Sequence, residues 1–229
     1  MLQNLKEEVY RANLSLVEHK LVKLTFGNAS GIDRKTGFMV IKPSGISMRD
    51  SGPDDMVVTD LSCNVVEGDL LPSTDAPTHA ALYKAFGTIG GIVHTHSASA
   101  TAWAQACRPI PCLGTTHADY FHGNVPVTRS LTREEIAGNY EYNTALVIVE
   151  CFREMDPLRI PAVLVASHGP FTWGGDVTQA VLHAISLEEI ARTAALTLSI
   201  APVGPIDQTL LDKHFFRKHG QGAYYGQKK

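Results

Sequence analysis

His94 and His96 stand where the apolar run IGGIV ends and the small-residue run SASATAWA begins. In an extended strand, residues i and i+2 project to the same side, so both imidazoles would leave the strand end together. Such a pair can chelate one cation, and a tetrahedral Zn²⁺ would need one or two further nitrogen or oxygen ligands. A hydrogen-bonded structural pair has the same spacing, so His-x-His alone does not decide. A second apolar run, PAVLVASHG, carries His168 at its end, with Gly169 expected to turn the backbone sharply. Three histidines at two strand ends make a constellation. Asp75 in LPSTDAPTH offers a carboxylate, whose competing role is to cap a helix.

Anion binding has two candidate loops. KPSG brings Lys42, Ser44 and Gly45 to the exit of a strand, while PSTD brings Ser73 and Thr74 to a helix start. Orphan N–H groups at a helix N-terminus favour anions. Asn28 in FGNAS is a neutral donor, or simply a turn residue. The stretch GTTHADYFHG, with Thr115 and Asp119, is dense in reactive side chains and poor in aliphatic ones. The tail KHGQGAYYGQKK carries adjacent Tyr224 and Tyr225, which suit docking onto a neighbour as well as they suit a plain surface tail.

Elements must position these groups. Residues 2–19 have apolar positions every three or four residues, as an amphipathic helix does and a signal peptide does not. LVKLTF (21–26) and FMVIK (38–42) read as strands around the turn-rich GNASGIDRKTG; DMVVTD and NVVEG read as a hairpin through Leu61, Ser62 and Cys63. Thr74 or Asp75 would cap a helix from Pro77 to Phe86. GGIVHTH is a strand followed by a helix over SASATAWAQA, and residues 132–139 make a short helix. NTALVIVECFREM suits a strand by its β-branched run and a helix by its length; helix is preferred. PAVLVASHG is a buried strand, a long helix opens at Asp176, and DQTLLDKHFFRKHG makes a last helix ended by Gly220. Strands mixed with helices, without a regular βαβ rhythm, imply a mixed α/β sandwich.

Composition sets the outer limits. With 44% hydrophobic and 19% charged residues the chain is an ordinary soluble globule, and 229 residues without a linker-like stretch read as one domain. A formal charge of −3 gives no support for nucleic acid or an anionic membrane as partner. No apolar window is long enough to span a bilayer. The four cysteines lack CxxC spacing; Cys107 and Cys112 are near enough to pair, but a reduced, unpaired set in the cytoplasm is expected.

LTFGNAS, IKPSG, PSTDAPTH, IGGIVHTHS, GTTHADY, VASHGPFTWG, TLLDKH and KHGQGAYYGQ together make the chain resemble the L-ribulose-5-phosphate 4-epimerases, within the class II aldolase/epimerase/adducin-like superfamily. The resemblance runs from Met1 to Gln227. It implies a three-layer α/β/α sandwich around a mainly antiparallel sheet, one domain over 1–229, and a tail over 219–229 docked near a subunit interface. It implies that Asp75, His94, His96 and His168 bind one divalent metal, Zn²⁺ with Mn²⁺ or Co²⁺ as substitutes. Asn28, Lys42, Ser44, Gly45, Ser73 and Thr74 would hold the substrate phosphate. Asp119 and Tyr225 would be the acid–base pair, reaching in from an adjacent subunit of a cytoplasmic homotetramer. Thr115, Glu141 and His214 are further lining residues. Aldolase relatives carry glutamate where this chain has Asp75, which favours epimerisation of a phosphorylated ketopentose, in arabinose or ascorbate catabolism, over aldol cleavage of L-fuculose 1-phosphate. A metal-free, adducin-like interaction module is the non-enzymatic alternative. Thr74 replaces a common serine but keeps the hydroxyl, and two lysines extend the YYGQ ending.

Overall fold

The structure, a computed structural model, describes residues 2–227. Met1, and Lys228 and Lys229 of the expected tail, lie outside the described residues. The chain runs α1 (Gln3–Glu18), β1 (Asn28–Asp33), β2 (Phe38–Ile41), β3 (Val57–Thr59), β4 (Val65–Glu67), α2 (Ala76–Ala85), β5 (Gly91–His94) and α3 (Ala98–Gln105). It continues through α4 (Thr115–Ala118), α5 (Arg133–Ala137), α6 (Tyr140–Cys151), β6 (Ala162–Leu164), β7 (Pro170–Gly174), α7 (Val177–Ile200) and α8 (Gln208–Phe216).

The strands form one sheet in the order β4-β3-β2-β1-β5-β7-β6, each neighbouring pair antiparallel. Successive strand side chains face opposite sides, so Met39, Ile41 and Ile92 enter one core with α2 and α6, while Val40 and Val93 enter another with α1 and α7. The result is a three-layer α/β/α sandwich. A third cluster joins α3 and α7 to β6 and the loop through Ile110 and Val125. No helix among the described residues is long and apolar enough to cross a membrane. All four cysteines are free.

Most expected elements are present, including the β3–β4 hairpin and the helix over NTALVIVEC. The strand expected over 21–26 is not. Lys20 takes a left-handed φ of 59°, and the N–H groups of Lys20 and Leu21 return to the carbonyls of Val17 and Leu16. That is the Schellman end of a helix, and it uses Leu21 and Leu16 as its apolar contact instead of extending the chain. The strand starts at Asn28, inside the stretch expected to turn. Asn13 of α1 pins it: its amide accepts from the Ala29 N–H at 2.8 Å and donates to the Ala29 carbonyl at 3.1 Å. The long strand expected over PAVLVASHG is a hairpin arm that stops at Leu164, with PFTWG as the unforeseen returning strand β7. Helix α8 ends at Phe216, four residues short of Gly220.

Two buried histidines belong to this framework. His79 meets Ser30 Oγ through Nδ1 at 2.7 Å, and His117 meets the Gly123 carbonyl through Nε2 at 2.8 Å. Burial pushes both down to about 4 from an ordinary 6.5. Between those values the unfolded chain binds the proton and the folded chain does not, so stability is full above pH 6.5 and falls as pH drops towards 4. We expect melting temperatures of protein stripped of divalent ions to fall steadily across that window. The cost is up to about 3 kcal/mol per histidine, and replacing His117 with asparagine should make the slope shallower. A flat profile there would refute buried neutral imidazoles.

Candidate active site

Strand β5 lies between β1 and β7, so its last residue, His94, is wrapped on both sides: Asn28 pairs with it across β1 and Phe171 across β7. The Phe171 ring stacks on the imidazole at 4.2 Å and 18°. His94 Nδ1 lies 3.0 Å from the Pro170 carbonyl, which can only accept, so the proton sits on Nδ1 and the lone pair on Nε2. That Nε2 is 3.1 Å from His96 Nε2. Burial lowers His94 to about 3 and lowers His96 and His168 as well, so these nitrogens stay neutral at ordinary pH. The ligand atoms of His94, His96 and His168 all lie within 4.8 Å of one another. Opposed lone pairs repel unless a proton or cation stands between them, and neutral imidazole nitrogens suit Zn²⁺ and its neighbours. The donor set fits a divalent metal.

Local backbone explains the convergence, with two departures from expectation. Only His94 is in the strand; His96 falls in the turn before α3, yet the two rings meet. In the β6–β7 turn the left-handed residue is Ser167, with φ 61°, and not Gly169. Gly169 is needed for close approach: a Cβ there would lie 2.7 Å from the Thr95 carbonyl, beside the His94 ring. The Tyr140 hydroxyl, 3.3 Å from His168 Nδ1, orients that ring, and sequence reasoning missed it.

The two candidate anion loops are laced together beside the imidazoles. Ser73 N–H donates to the Lys42 carbonyl and Ser44 N–H to the Leu71 carbonyl, both at 2.9 Å. Lys42 is buried, which lowers its pKa against the opposing charge of Asp75, and its ammonium donates to the Pro43 carbonyl at 3.1 Å. Asp75 occupies the cap position of α2 but makes no side-chain cap bond. Its Oδ2 instead accepts from Asn28 Nδ2 at 2.6 Å, while the same amide donates to Ser73 Oγ at 3.0 Å. Burial works to raise the Asp75 carboxyl, but His94, His79 and the Asn28 bond prevail and lower it. One cavity of about 410 Å³ is lined by Asn28, Lys42, Ser44, Gly45, Ser73 and Thr74 on the loop side. Asp75, His94, His96, His168 and Glu141 line the same cavity.

The other expected residues gather elsewhere. Asp119, at the end of α4, accepts from Arg217 Nε at 3.1 Å and Nη2 at 2.8 Å, and lies 3.1 Å from His214 Nδ1 and 3.2 Å from Lys218 Nζ. Burial works to raise its pKa, but Arg217, His214 and Lys218 outweigh it and hold Asp119 ionised. Tyr225 is exposed, with Lys218 4.4 Å and Arg217 5.1 Å from its ring centroid. Asp119 and Tyr225 thus share two cations, Arg217 and Lys218, which sequence reasoning took only as a helix end, and His214 joins them through Asp119. Asp119 lines a hollow with Tyr120, His183 and Lys218, and Thr115 a further one with Glu189 and Thr193. Within one chain none of these four joins the imidazole cavity.

The family model for the Class II Aldolase and Adducin N-terminal domain matches residues 7–195. The L-ribulose-5-phosphate 4-epimerase UlaF of Salmonella paratyphi B is 53% identical over 228 residues, 99% of this chain and 100% of that protein. The protein of the same name from Salmonella typhi matches equally, at 53% over 228 residues, with the same coverage. Among solved structures, an L-fuculose 1-phosphate aldolase superposes with a TM-score of 0.79 at 28% identity, covering 93% of this chain and 95% of that one. A matched fold, a full-length sequence match and the converging histidines agree: the chain belongs to the class II aldolase and adducin family.

Proposed function

We propose that this chain is a divalent-metal-dependent epimerase interconverting L-ribulose 5-phosphate and D-xylulose 5-phosphate. The observation that carries the reading is the single cavity in which a neutral imidazole cluster faces a buried lysine and two hydroxyl-bearing loops. Full-length identity of 53% to proteins named for this reaction supports it. A second reading, aldol cleavage of L-fuculose 1-phosphate, draws on the 28% identical aldolase. A non-enzymatic, adducin-like module gives no reason for three imidazole ligand atoms within 4.8 Å of one another.

The chemistry explains the inventory. In a 2-ketopentulose 5-phosphate, C4 is β to the carbonyl, so its proton is not acidic enough to be removed and returned. Cleaving the C3–C4 bond, rotating the aldehyde fragment and closing the bond on its other face inverts the centre. His94, His96, His168 and Asp75 would hold a divalent ion, Zn²⁺ by our choice with Mn²⁺ or Co²⁺ as substitutes, which would supply Lewis-acid stabilisation of negative charge on substrate oxygens. Lys42, Ser44, Gly45, Ser73, Thr74 and Asn28 grip the phosphate and so retain the fragment while its other end turns. Glu141 lines the same cavity. One group must take the C4 hydroxyl proton and another return it on the opposite face. Asp119, held ionised by three basic neighbours, is in the form that accepts a proton; Tyr225 is its counterpart, with His214 and Thr115 beside them. Because these groups lie outside the imidazole cavity of their own chain, we assign them to the cavity of a neighbouring copy in a homotetramer. The tail over 219–229 then docks near that interface, and 1–229 acts as one domain. Four free thiols suit a reducing cytoplasm, with arabinose or ascorbate breakdown as the source of substrate.

Chelation should abolish turnover of L-ribulose 5-phosphate, and added Zn²⁺ should restore it; full activity in exhaustively metal-free protein sinks the proposal. Faster release of dihydroxyacetone phosphate from L-fuculose 1-phosphate than epimerisation of the pentulose phosphate would instead select the aldolase. Tyr225→Phe should cost about 10²–10⁴-fold in kcat, against a few-fold for Tyr224→Phe; equal losses would remove the Tyr225 phenol from the chemistry. Inactive Asp119→Asn and His96→Asn proteins, mixed and allowed to exchange subunits, should regain part of the wild-type rate. No recovery after verified exchange argues that each site is built from one chain.

A further inference from the structure

Helix α3 begins two residues after His96, and its first N–H groups need acceptors. Ser97 sits at the cap position but makes no capping bond; its hydroxyl accepts from Thr95 Oγ1 at 3.3 Å instead. The capping is done from α7. Ser99 N–H donates to Glu188 Oε1 at 2.8 Å and Ala100 N–H to Glu188 Oε2 at 3.0 Å. Those are the second and third helical positions, the donors that a local cap side chain normally takes, and the negative charge meets the positive end of the helix dipole.

The other end of α3 is tied as well. The Ala104 carbonyl accepts from Ser167 N–H at 2.9 Å, and Ser167 is the left-handed residue that precedes His168. Between the ends, Trp103 Nε1 donates to the Ala191 carbonyl of α7 at 3.0 Å, and the fully buried Ala100, Ala104 and Ala191 let the two helices lie close. Helix α3 is therefore a strut about 12 Å long, one end emerging from His96 and the other braced on the hinge of His168.

We infer that Glu188 is a positioning residue for the histidine cluster: by capping α3 from α7 it fixes the spacing between His96 and His168. The inference rests on the metal reading proposed above. Its test is the affinity of chelator-stripped protein for Zn²⁺ alone, measured by competition with a chromophoric chelator, alongside melting temperature. Glu188→Ala should bind Zn²⁺ about tenfold more weakly, the lower end of what outer-shell substitutions cost. Glu188→Gln, which keeps the shape and loses the charge, should fall between. Adding Ser97→Asp to Glu188→Ala supplies a carboxylate at the local cap and should recover most of the affinity. Equal affinity in wild type and Glu188→Ala overturns the inference. So does a recovered melting temperature without recovered affinity in the double variant. If the alanine variant does not fold, Glu188→Gln decides, and wild-type affinity there overturns the inference. Failure of the wild type itself to bind Zn²⁺ removes the metal reading, and this inference falls with it.

Discussion

Three neutral imidazoles bring their ligand nitrogens within 4.8 Å of one another, and the surrounding packing holds them there. The central position of β5 does most of this. It buries His94, aligns it with Phe171 and presents the Pro170 carbonyl that fixes its tautomer. The same burial that lowers the basicity of the ring towards protons leaves the Nε2 lone pair unprotonated, the form that a divalent cation would need. A tautomeric N–H between His94 and His96 would satisfy that pair alone; the third ligand atom, on His168 and within 4.8 Å of the others, gives the cluster the shape of a cation site.

The carboxylate beside the imidazoles is under a different constraint. Asp75 could have capped α2, and its backbone stands in the cap position, yet Asn28 draws the side chain into the cavity. Asn28 also holds Ser73, so one buried amide joins the hydroxyl of the Ser73–Thr74 loop to the acidic residue. Charge is divided between two regions of the chain. The cavity combines Lys42 with Asp75, while the cluster near the C-terminus combines Asp119 with Arg217 and Lys218. Under the proposed function the first would hold and polarise the substrate and the second would exchange protons with it, so neither alone would supply the full set that carbon–carbon cleavage and re-addition demand.

Much of this was legible in the sequence, for physical reasons. His-x-His and the later Ser-His-Gly announced themselves because apolar strands ending in polar residues are local patterns, and long amphipathic helices such as α7 are too. Elements failed where a residue's use was set by its neighbours. Leu21 and Val22 look like strand residues but close the end of α1, while Leu24 is 82% exposed, as no core strand residue would be. Asn28–Asp33 looks like a turn because it is small and polar. Its size is the reason it works as a strand: a Cβ on Gly31 would lie 2.6 Å from Val177 and 2.8 Å from Leu5. Pro170 disguised β7, although proline is tolerated as the first residue of a strand.

The C-terminal cluster marks where such reading stops. His214, Arg217 and Lys218 are spaced i, i+3 and i+4, so one face of α8 and its exit must present all three together. That periodicity is visible in the letters KHFFRK. What it faces is not: Asp119 lies 95 to 99 residues away in sequence, and only the packing of α4 on α8 brings it there. A lone aspartate in GTTHADY is ambiguous, and so is a basic helix end. Paired, each explains the other, because an ionised carboxylate needs compensating charge and three clustered basic groups need an acid. Long-range pairing of this kind has no local signature, so chemistry spread over distant segments becomes readable only once the fold has joined them.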